Sequence, residues 1–147
     1  MMLPKQELRI LVSGTASDSH TWNLVFLQLF LEEQGHPVTN LGPCVTADLL
    51  AAHCLEQPPE LVVLSSVNGH GYRDGLTAVA RLRAEPALDG STIVIGGKLG
   101  VAGSRDPEAA ALLRAAGCHA VYDDGDLNAL RDLVGELADA KARRVTA

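Results

Sequence analysis

The fold is decided by the stretch Leu61-Val62-Val63-Leu64-Ser65-Ser66-Val67-Asn68-Gly69-His70-Gly71. Four apolar residues in a row are typical of a central parallel strand that helices cover on both faces. The small polar residues and glycines that follow are typical of a loop at the carboxyl end of such a strand. Two further apolar runs, residues 8–12 and 92–95, also lead into loops of small residues. The stretch therefore predicts the parallel sheet of an α/β protein.

Outward from this stretch, five apolar runs alternate with five helical patterns along the chain. Five β-α units predict a doubly wound, flavodoxin-like (Rossmann-like) parallel sheet of five strands, in the order 2-1-3-4-5, with helices on both faces. We expect a single domain over residues 1–147, with a core from about residue 7 to 141. The predicted strands are residues 8–12, 36–41, 61–64, 92–95 and 119–122, and the predicted helices are residues 22–31, 46–55, 73–84, 107–116 and 126–141.

The composition argues against several classes of protein. The net charge is −6, and the basic residues cluster only at Lys141, Arg143 and Arg144, so we expect no nucleic-acid partner. The longest apolar stretch, residues 24–31, is far shorter than the about 20 residues that span a bilayer, so we expect no membrane segment. Three cysteines without a C-x-x-C pair, and residues 1–7 without a signal-peptide pattern, predict a cytoplasmic protein with free thiols.

Three loops are predicted to form the functional site. Ligands of such sheets bind beyond the carboxyl ends of the strands, at the switch point between strands one and three. The loops at that edge are residues 13–21, 65–71 and 96–100, and all three are rich in glycine, serine or threonine. The loops at the opposite edge carry no comparable pattern. This asymmetry predicts a ligand site at the carboxyl ends of the strands.

Two histidines in these loops have alternative interpretations. Asp18 and His20 are two residues apart, and residues at that spacing in an extended loop point the same way. Asp18 can then hold one imidazole nitrogen while the other faces outward as a metal ligand. Alternatively, Asp18 or Ser17 caps the following helix and His20 is merely exposed beside it. His70, between two glycines, can contact a ligand or form part of a turn, and we favour the turn.

Two functions other than metal binding fit the same fold. In a flavodoxin-like electron carrier, hydroxyls of the first loop would bind the phosphate of flavin mononucleotide at a helix N-terminus. The nearby aromatic residues that could stack on its ring are Trp22 and Tyr72, and the hydroxyls are those of Ser13, Thr15, Ser17 and Thr21. A phospho-receiver domain would require an aspartate at the end of strand three, where this chain has Ser65.

The motifs Asp18-Ser19-His20-Thr21-Trp22-Asn23, Ser65-Ser66-Val67 and Gly96-Gly97 follow predicted strands one, three and four. This pattern resembles the D-x-H-x-x-G, S-x-L and G-G motifs of the cobalamin-binding domains of adenosylcobalamin mutases and methionine synthase. The resemblance covers almost the whole chain, and within that family it points to the small (sigma, S) subunits of glutamate mutases. Two positions depart from the pattern, because Asn23 replaces the motif glycine and Val67 replaces the leucine.

The resemblance implies adenosylcobalamin as the cofactor. His20 would displace the dimethylbenzimidazole base as the lower axial ligand of cobalt. Asp18 would have the catalytic role of orienting that histidine, and the released nucleotide tail would bind beside the second and third loops. The residues implied to bind the cofactor, together with their neighbours in the three loops, are Ser17, Asp18, Ser19, His20, Thr21, Ser65, Ser66, Val67, Gly69, Gly96, Gly97, Lys98, Leu99 and Gly100.

The resemblance also implies an isomerase, methylaspartate mutase, which interconverts L-glutamate and threo-3-methylaspartate. The small-molecule substrate would be held by a larger catalytic (epsilon, barrel) subunit, because a substrate barrel of about 250 residues does not fit into this chain. The chain is therefore expected to be inactive alone. The same domain serving a different mutase, for example one acting on an acyl-CoA, is the alternative.

Overall fold

Five strands and five helices alternate in the computed structural model, which describes residues 6–146. Residues 1–5, on which part of the signal-peptide argument rests, and Ala147 lie outside the described residues. The strands are β1 (Ile10–Gly14), β2 (Val38–Asn40), β3 (Leu61–Ser66), β4 (Thr92–Gly97) and β5 (Ala120–Tyr122). The helices are α1 (Trp22–Glu33), α2 (Ala47–Glu56), α3 (Gly71–Arg83), α4 (Pro107–Ala116) and α5 (Leu127–Thr146), with single 3-10 turns at Pro86–Leu88 and Val101–Gly103.

The strands form one parallel sheet in the order β2-β1-β3-β4-β5, which confirms the predicted topology. The register pairs Gly14 with Ser65, and Ser65 with Gly96. The loops that follow β1, β3 and β4 therefore begin side by side. We call this end of the sheet the carboxyl edge and the opposite end the amino edge.

The strand and helix boundaries differ from the prediction at several elements. Strand β1 begins two residues later than predicted, β2 covers only Val38–Asn40 of the predicted residues 36–41, and α3 begins two residues earlier, at Gly71. Strands β1, β3 and β4 each extend two residues beyond their apolar runs, into Gly14, Ser66 and Gly97. Ladder hydrogen bonds are made by the main chain, so they continue where the side chains become small and polar. Helix α5 continues five residues past Lys141 to Thr146, because the intervening alanine and arginine residues are good helix formers and no glycine or proline stops it.

The helices cover both faces of the sheet, as predicted. Helices α2, α3 and α4 pack on one face through residues such as Leu50, Val79 and Leu113. Helices α1 and α5 pack on the other face through residues such as Leu24 and Leu130. All six residues of β3 are buried, as expected for a central strand between two helical layers.

Helix α1 is apolar around most of its circumference. Leu24 and Leu31 are fully buried, whereas Trp22, Phe26 and Leu29 are exposed. Trp22 has 84% of its surface exposed and lies at the carboxyl edge. Across residues 6–146, the structure contains no helix with the length and apolar character needed to cross a membrane. The exposed side of α1 is therefore an apolar surface that begins beside the predicted site.

The amino edge is held together by bonds from side chains to backbone carbonyls. The Arg83 guanidinium donates to the carbonyls of Gly117 (3.1 Å), Leu88 (3.0 Å) and Ser91 (2.8 Å). The buried Ser91 hydroxyl donates to the carbonyl of Pro59 at 2.6 Å. The three Arg83 bonds are charge-assisted, and such bonds are stronger than neutral ones. The amino edge is thus cross-linked by groups that play no part in the predicted site.

The three cysteines are free, as predicted, but they differ in accessibility: Cys44 is exposed, whereas Cys54 and Cys118 are buried. Burial raises the pKa of the Cys54 and Cys118 thiols to about 11. Because the thiolate is the reacting form, we expect iodoacetamide at pH 8 to label the folded protein once, at Cys44. Intact-mass spectrometry should then show three labels in denaturant. Equal labelling of Cys54 in the folded protein would contradict this assignment.

Candidate functional site

Asp18 and His20 are in contact at the carboxyl edge. Asp18 Oδ1 lies 2.6 Å from His20 Nδ1 and accepts the backbone N–H of His20 at 2.9 Å. An ionised carboxylate can only accept hydrogen bonds, so Nδ1 carries the ring hydrogen. The Asp18 side chain is 1% exposed, whereas that of His20 is 59% exposed. In the neutral imidazole, this leaves Nε2 as the nitrogen with a free lone pair on an exposed ring, which is the atom that can bind a metal.

The alternative in which Asp18 or Ser17 caps helix α1 is wrong. Thr21 occupies the N-cap position, and no side chain caps this helix. Asp18 instead bonds to His20, and Ser17 bonds to Asp74 on helix α3. Only the exposure of His20 agrees with that interpretation.

The second oxygen of Asp18 joins two of the predicted loops. Oδ2 accepts the backbone N–H of Val67 at 2.6 Å. Burial raises the pKa of the Asp18 carboxyl, but the hydrogen bonds from Val67 and His20 outweigh it, so the pKa lies below its ordinary value. Asp18 is therefore a charged, buried group held on both sides. The pairing with Val67 was not predicted, because no local pattern links residues 49 positions apart.

A groove of about 280 Å³ opens between α1 and α5, above β3 and β4. Four of the predicted cofactor-binding residues line it: Ser65, Val67, Gly96 and Gly97. Gly96 adds no side chain to the wall, and a Cβ there would be crowded, 3.3 Å from the Tyr122 carbonyl oxygen. The remaining wall is mostly apolar and includes Phe26, Leu27, Val63, Tyr122, Leu127 and Leu130. The groove suits a flat apolar group with few polar atoms.

Asn23, which replaces the motif glycine, forms part of the groove wall. Its Nδ2 donates to Ser65 Oγ at 2.8 Å. Its Oδ1 is buried and has no hydrogen-bond partner among the described residues. Because Ser65 Oγ accepts from Asn23, the Ser65 hydroxyl hydrogen remains available to a ligand in the groove.

The other predicted residues surround the site at different depths. The side chains of Ser66 and Leu99 are buried, so they support the loops from below. Gly97 has a φ of +118° and lies against the Ser66 backbone. Gly69 approaches the backbone of Gly100, whereas Ser17, Ser19, Thr21 and Lys98 are exposed around the carboxyl edge.

His70 belongs to a turn, as we favoured. Its backbone N–H donates to Asn68 Oδ1 at 3.0 Å, and its side chain is exposed at the start of α3. His70 and Tyr72 line a separate open cavity of about 320 Å³. The Tyr72 hydroxyl donates to Asp123 at 2.7 Å and accepts from the Asp106 N–H at 2.9 Å. Neither residue lines the groove beside Ser65.

Comparisons with known proteins support the fold. No family model and no curated protein matches the chain. Among solved structures, the chain is similar to a cobalamin-binding protein from Desulfitobacterium hafniense DCB-2, with 21% identity and a TM-score of 0.62. That match covers 79% of this chain and 53% of the other protein, so the chain spans about half of that protein's length.

The chain is also similar to two signalling proteins. A LuxR-family two-component response regulator from Aurantimonas sp. SI85-9A1 has 17% identity and a TM-score of 0.65, covering 89% of this chain and 87% of that one. The chemotaxis protein CheY4 of Vibrio cholerae has 11% identity and a TM-score of 0.67, covering 90% and 99%. At these identities the similarity establishes the fold, which proteins with different functions share.

Proposed function

We propose that the chain binds a cobalamin-type cofactor at the carboxyl edge, where His20 Nε2 would be the protein ligand of cobalt. The observation that carries this proposal is the buried, charged Asp18, which holds Nδ1 of an exposed imidazole. A carboxylate in this position fixes the tautomer and the orientation of a metal-binding histidine. Residues 6–146 contain no group of three or more acidic, histidine or cysteine side chains that could hold a metal by themselves. A single imidazole suits a metal that arrives with its other ligands in a macrocycle.

The groove fits the nucleotide tail of this cofactor. Its apolar walls match the flat dimethylbenzimidazole base, and Gly96 adds no side chain to them. The ring nitrogen of that base would require a hydrogen-bond donor in the groove, and the Ser65 hydroxyl can provide one. The similar structure of the cobalamin-binding protein from Desulfitobacterium hafniense supports the same ligand class.

We further propose that the cofactor is adenosylcobalamin and that the chain is the small subunit of a carbon-skeleton mutase, specifically glutamate mutase. When bound, adenosylcobalamin supplies a cobalt–carbon bond that can break homolytically. The protein's own contribution is to orient His20 through Asp18 and to bury the tail away from water. The support for the mutase assignment is the motif pattern at Asp18–Asn23, Ser65–Val67 and Gly96-Gly97.

The substrate site is assigned to a larger catalytic subunit, and the chain alone is proposed to be inactive. Residues 6–146 form one open sheet, and the candidate site in it lies on the surface. The exposed Trp22, two residues after His20, places an apolar side chain where a partner would cover the cofactor. The L-glutamate and 3-methylaspartate of the proposed reaction would both be held by that partner.

A flavin-binding function is not favoured by the hydroxyl groups of the first loop. Ser13 and Thr15 are buried, and the Ser13 hydroxyl donates to the Gly14 carbonyl. The Ser17 hydroxyl donates to the Asp74 carboxylate, whose charge would repel a phosphate. The Ser13 and Ser17 hydroxyls are therefore already bonded within the protein.

A phospho-receiver function is not favoured either, although receiver-type signalling proteins share the fold. Ser65 stands at the end of β3, where the phosphoacceptor aspartate would be required. The nearby Asp18 carboxylate is occupied by His20 and Val67. The site therefore lacks the acidic group that phosphorylation would need.

Equilibrium dialysis tests the proposed cofactor directly. We expect saturable binding of one adenosylcobalamin per chain and no retention of flavin mononucleotide. Adenosylcobinamide, which has the same corrin ring but no nucleotide tail, should bind at least about tenfold more weakly, because the groove stays empty. Retention of flavin mononucleotide without adenosylcobalamin would refute the proposal, and equal affinity for adenosylcobinamide would refute the role of the groove.

The mutase assignment has its own test. The purified chain is combined with a glutamate mutase catalytic subunit, adenosylcobalamin and L-glutamate, and 3-methylaspartate is followed by proton NMR. We expect product only when both proteins are present. Binding of adenosylcobalamin without product formation would retain the cofactor assignment and overturn the glutamate mutase assignment.

A further inference from the structure

Asp74, in the first turn of α3, contacts the loop that carries Asp18 and His20. Its side chain is 12% exposed, and its Oδ2 accepts both the hydroxyl and the backbone N–H of Ser17, the latter at 3.2 Å. The two residues are 57 positions apart in the chain. A nearly buried carboxylate that accepts two bonds from one loop residue restrains that residue strongly.

Ser17 is held from a second side by the loop after β3. Asn68 Nδ2 donates to Ser17 Oγ at 3.1 Å. Asn68 Oδ1 in turn accepts the Ser66 hydroxyl at 3.1 Å and the His70 backbone N–H at 3.0 Å. Ser17 is therefore fixed between α3 and the loop after β3.

Ser17 immediately precedes Asp18, so its position sets where the Asp18 backbone begins. The Asp18 carbonyl accepts the Cys44 N–H at 2.9 Å, and the Asp18 carboxylate accepts the Val67 N–H at 2.6 Å. These bonds fix the residue after Ser17, but none of them fixes Ser17 itself. When Ser17 and Asp18 are both fixed, the Asp18 carboxylate is oriented toward the His20 ring.

We propose that Asp74 is a positioning residue that sets the orientation of His20 through Ser17 and Asp18. This inference rests on the proposed function of His20 as a metal ligand. Asp74 bonds to Ser17 rather than to His20 and does not line the groove, so its effect would be transmitted through the loop backbone. Removal of Asp74 should therefore weaken the Asp18–His20 contact while leaving both residues in place.

A merely structural role for Asp74 makes a different prediction. An acidic residue in the first turn stabilises a helix through its charge, whether or not it bonds to a loop. Asp74→Asn removes that charge but keeps an oxygen that can accept the two bonds from Ser17. Asp74→Ala removes the charge and the accepting oxygen. Asp48, in the first turn of α2 and exposed, provides the matched control Asp48→Ala.

The first readout is the imidazole of His20 in the cofactor-free protein, followed by long-range ¹H–¹⁵N NMR. The wild type, Asp74→Asn and Asp48→Ala should all show the tautomer with hydrogen on Nδ1. Asp74→Ala should show resonances shifted toward a mixture of both tautomers. Unchanged His20 resonances in Asp74→Ala, together with a lower melting temperature, would overturn the proposal in favour of a structural role.

The second readout is adenosylcobalamin affinity. We expect Asp74→Ala to raise the Kd for adenosylcobalamin about tenfold, and Asp74→Asn to stay close to the wild type. Tenfold is the lower end of the effect seen when residues that orient a metal ligand are removed. If circular dichroism shows that Asp74→Ala does not fold, Ser17→Ala replaces it. Ser17→Ala removes the hydroxyl bonds and should move the His20 resonances in the same direction by a smaller amount, and no movement would overturn the proposal.

The two proposals fail in distinguishable ways. The NMR experiment needs no cofactor, so it decides the role of Asp74 even if the wild type does not bind adenosylcobalamin. Absence of adenosylcobalamin binding in the wild type would refute the proposed function alone. A normal tautomer in Asp74→Ala with intact binding would refute the positioning role alone.

Discussion

In the His20→Ala variant, cobalt should lose its protein nitrogen ligand. The decisive measurement is the electron paramagnetic resonance spectrum of cob(II)alamin bound to ¹⁵N-labelled protein. A ¹⁵N ligand splits each cobalt line into two, whereas the ¹⁴N of the cofactor's own base splits it into three. We expect doublets for the wild type, because Asp18 leaves Nε2 free, and none for His20→Ala. The affinity of His20→Ala for cob(II)alamin should fall by more than the about 10–100-fold loss that is typical when a residue hydrogen-bonded to a metal ligand is removed.

Two variants calibrate this result. His70→Ala removes the other exposed histidine of the carboxyl edge and should retain the doublets, because His70 lies in a separate turn. Asp18→Asn leaves the ligand in place but weakens its orientation, so we expect doublets with an affinity about 10–100-fold lower. Triplets in the wild-type complex would mean that the cofactor keeps its own base, and the assignment of His20 would then be wrong.

The Gly97→Ala variant should lose much of its stability. Gly97 has a φ of +118°, and a Cβ there would lie 2.1 Å from the Ser66 carbonyl oxygen. The left-handed backbone costs a residue other than glycine about 1–2 kcal/mol, and overpacking typically costs a further 1–3 kcal/mol. We expect the free energy of unfolding in urea to fall by about 3 kcal/mol, against about 5–15 kcal/mol for a whole domain.

The matched control is Gly135→Ala. Gly135 lies in the interior of α5, is exposed, and has nothing within 4 Å of a Cβ position. Alanine is the better helix former, so this variant should be more stable by about 1 kcal/mol. If both variants lose stability, or if neither does, the predicted crowding and backbone strain at Gly97 would be contradicted.

The order of the strands and the meeting of the three loops at the carboxyl edge were predictable because they depend on local patterns. Apolar runs followed by small residues mark where buried strands end, and parallel strands bring those ends together. The contact between Asp18 and His20 was also predictable, since its two partners are close in the chain. These features account for the fold and for the most specific contact in the site.

The contacts that hold the site in place were not predictable. Asp74 meets Ser17 across 57 positions, and Asp18 meets Val67 across 49. A carboxylate in the first turn of a helix is also explained by its favourable interaction with the helix dipole. No local pattern therefore indicates that Asp74 bonds to a distant loop. Such pairs become visible only when the sheet order has brought their elements together.

The cross-linked amino edge has a consequence for how this scaffold can change over generations. Arg83 and Ser91 satisfy their backbone partners at the end of the sheet farthest from the three loops. Substitutions at the carboxyl edge therefore leave these bonds intact, and additivity is the expected behaviour for such distant positions. Substitutions of exposed side chains in the three loops, such as Ser19 and Lys98, can therefore change what the carboxyl edge binds without weakening the amino edge.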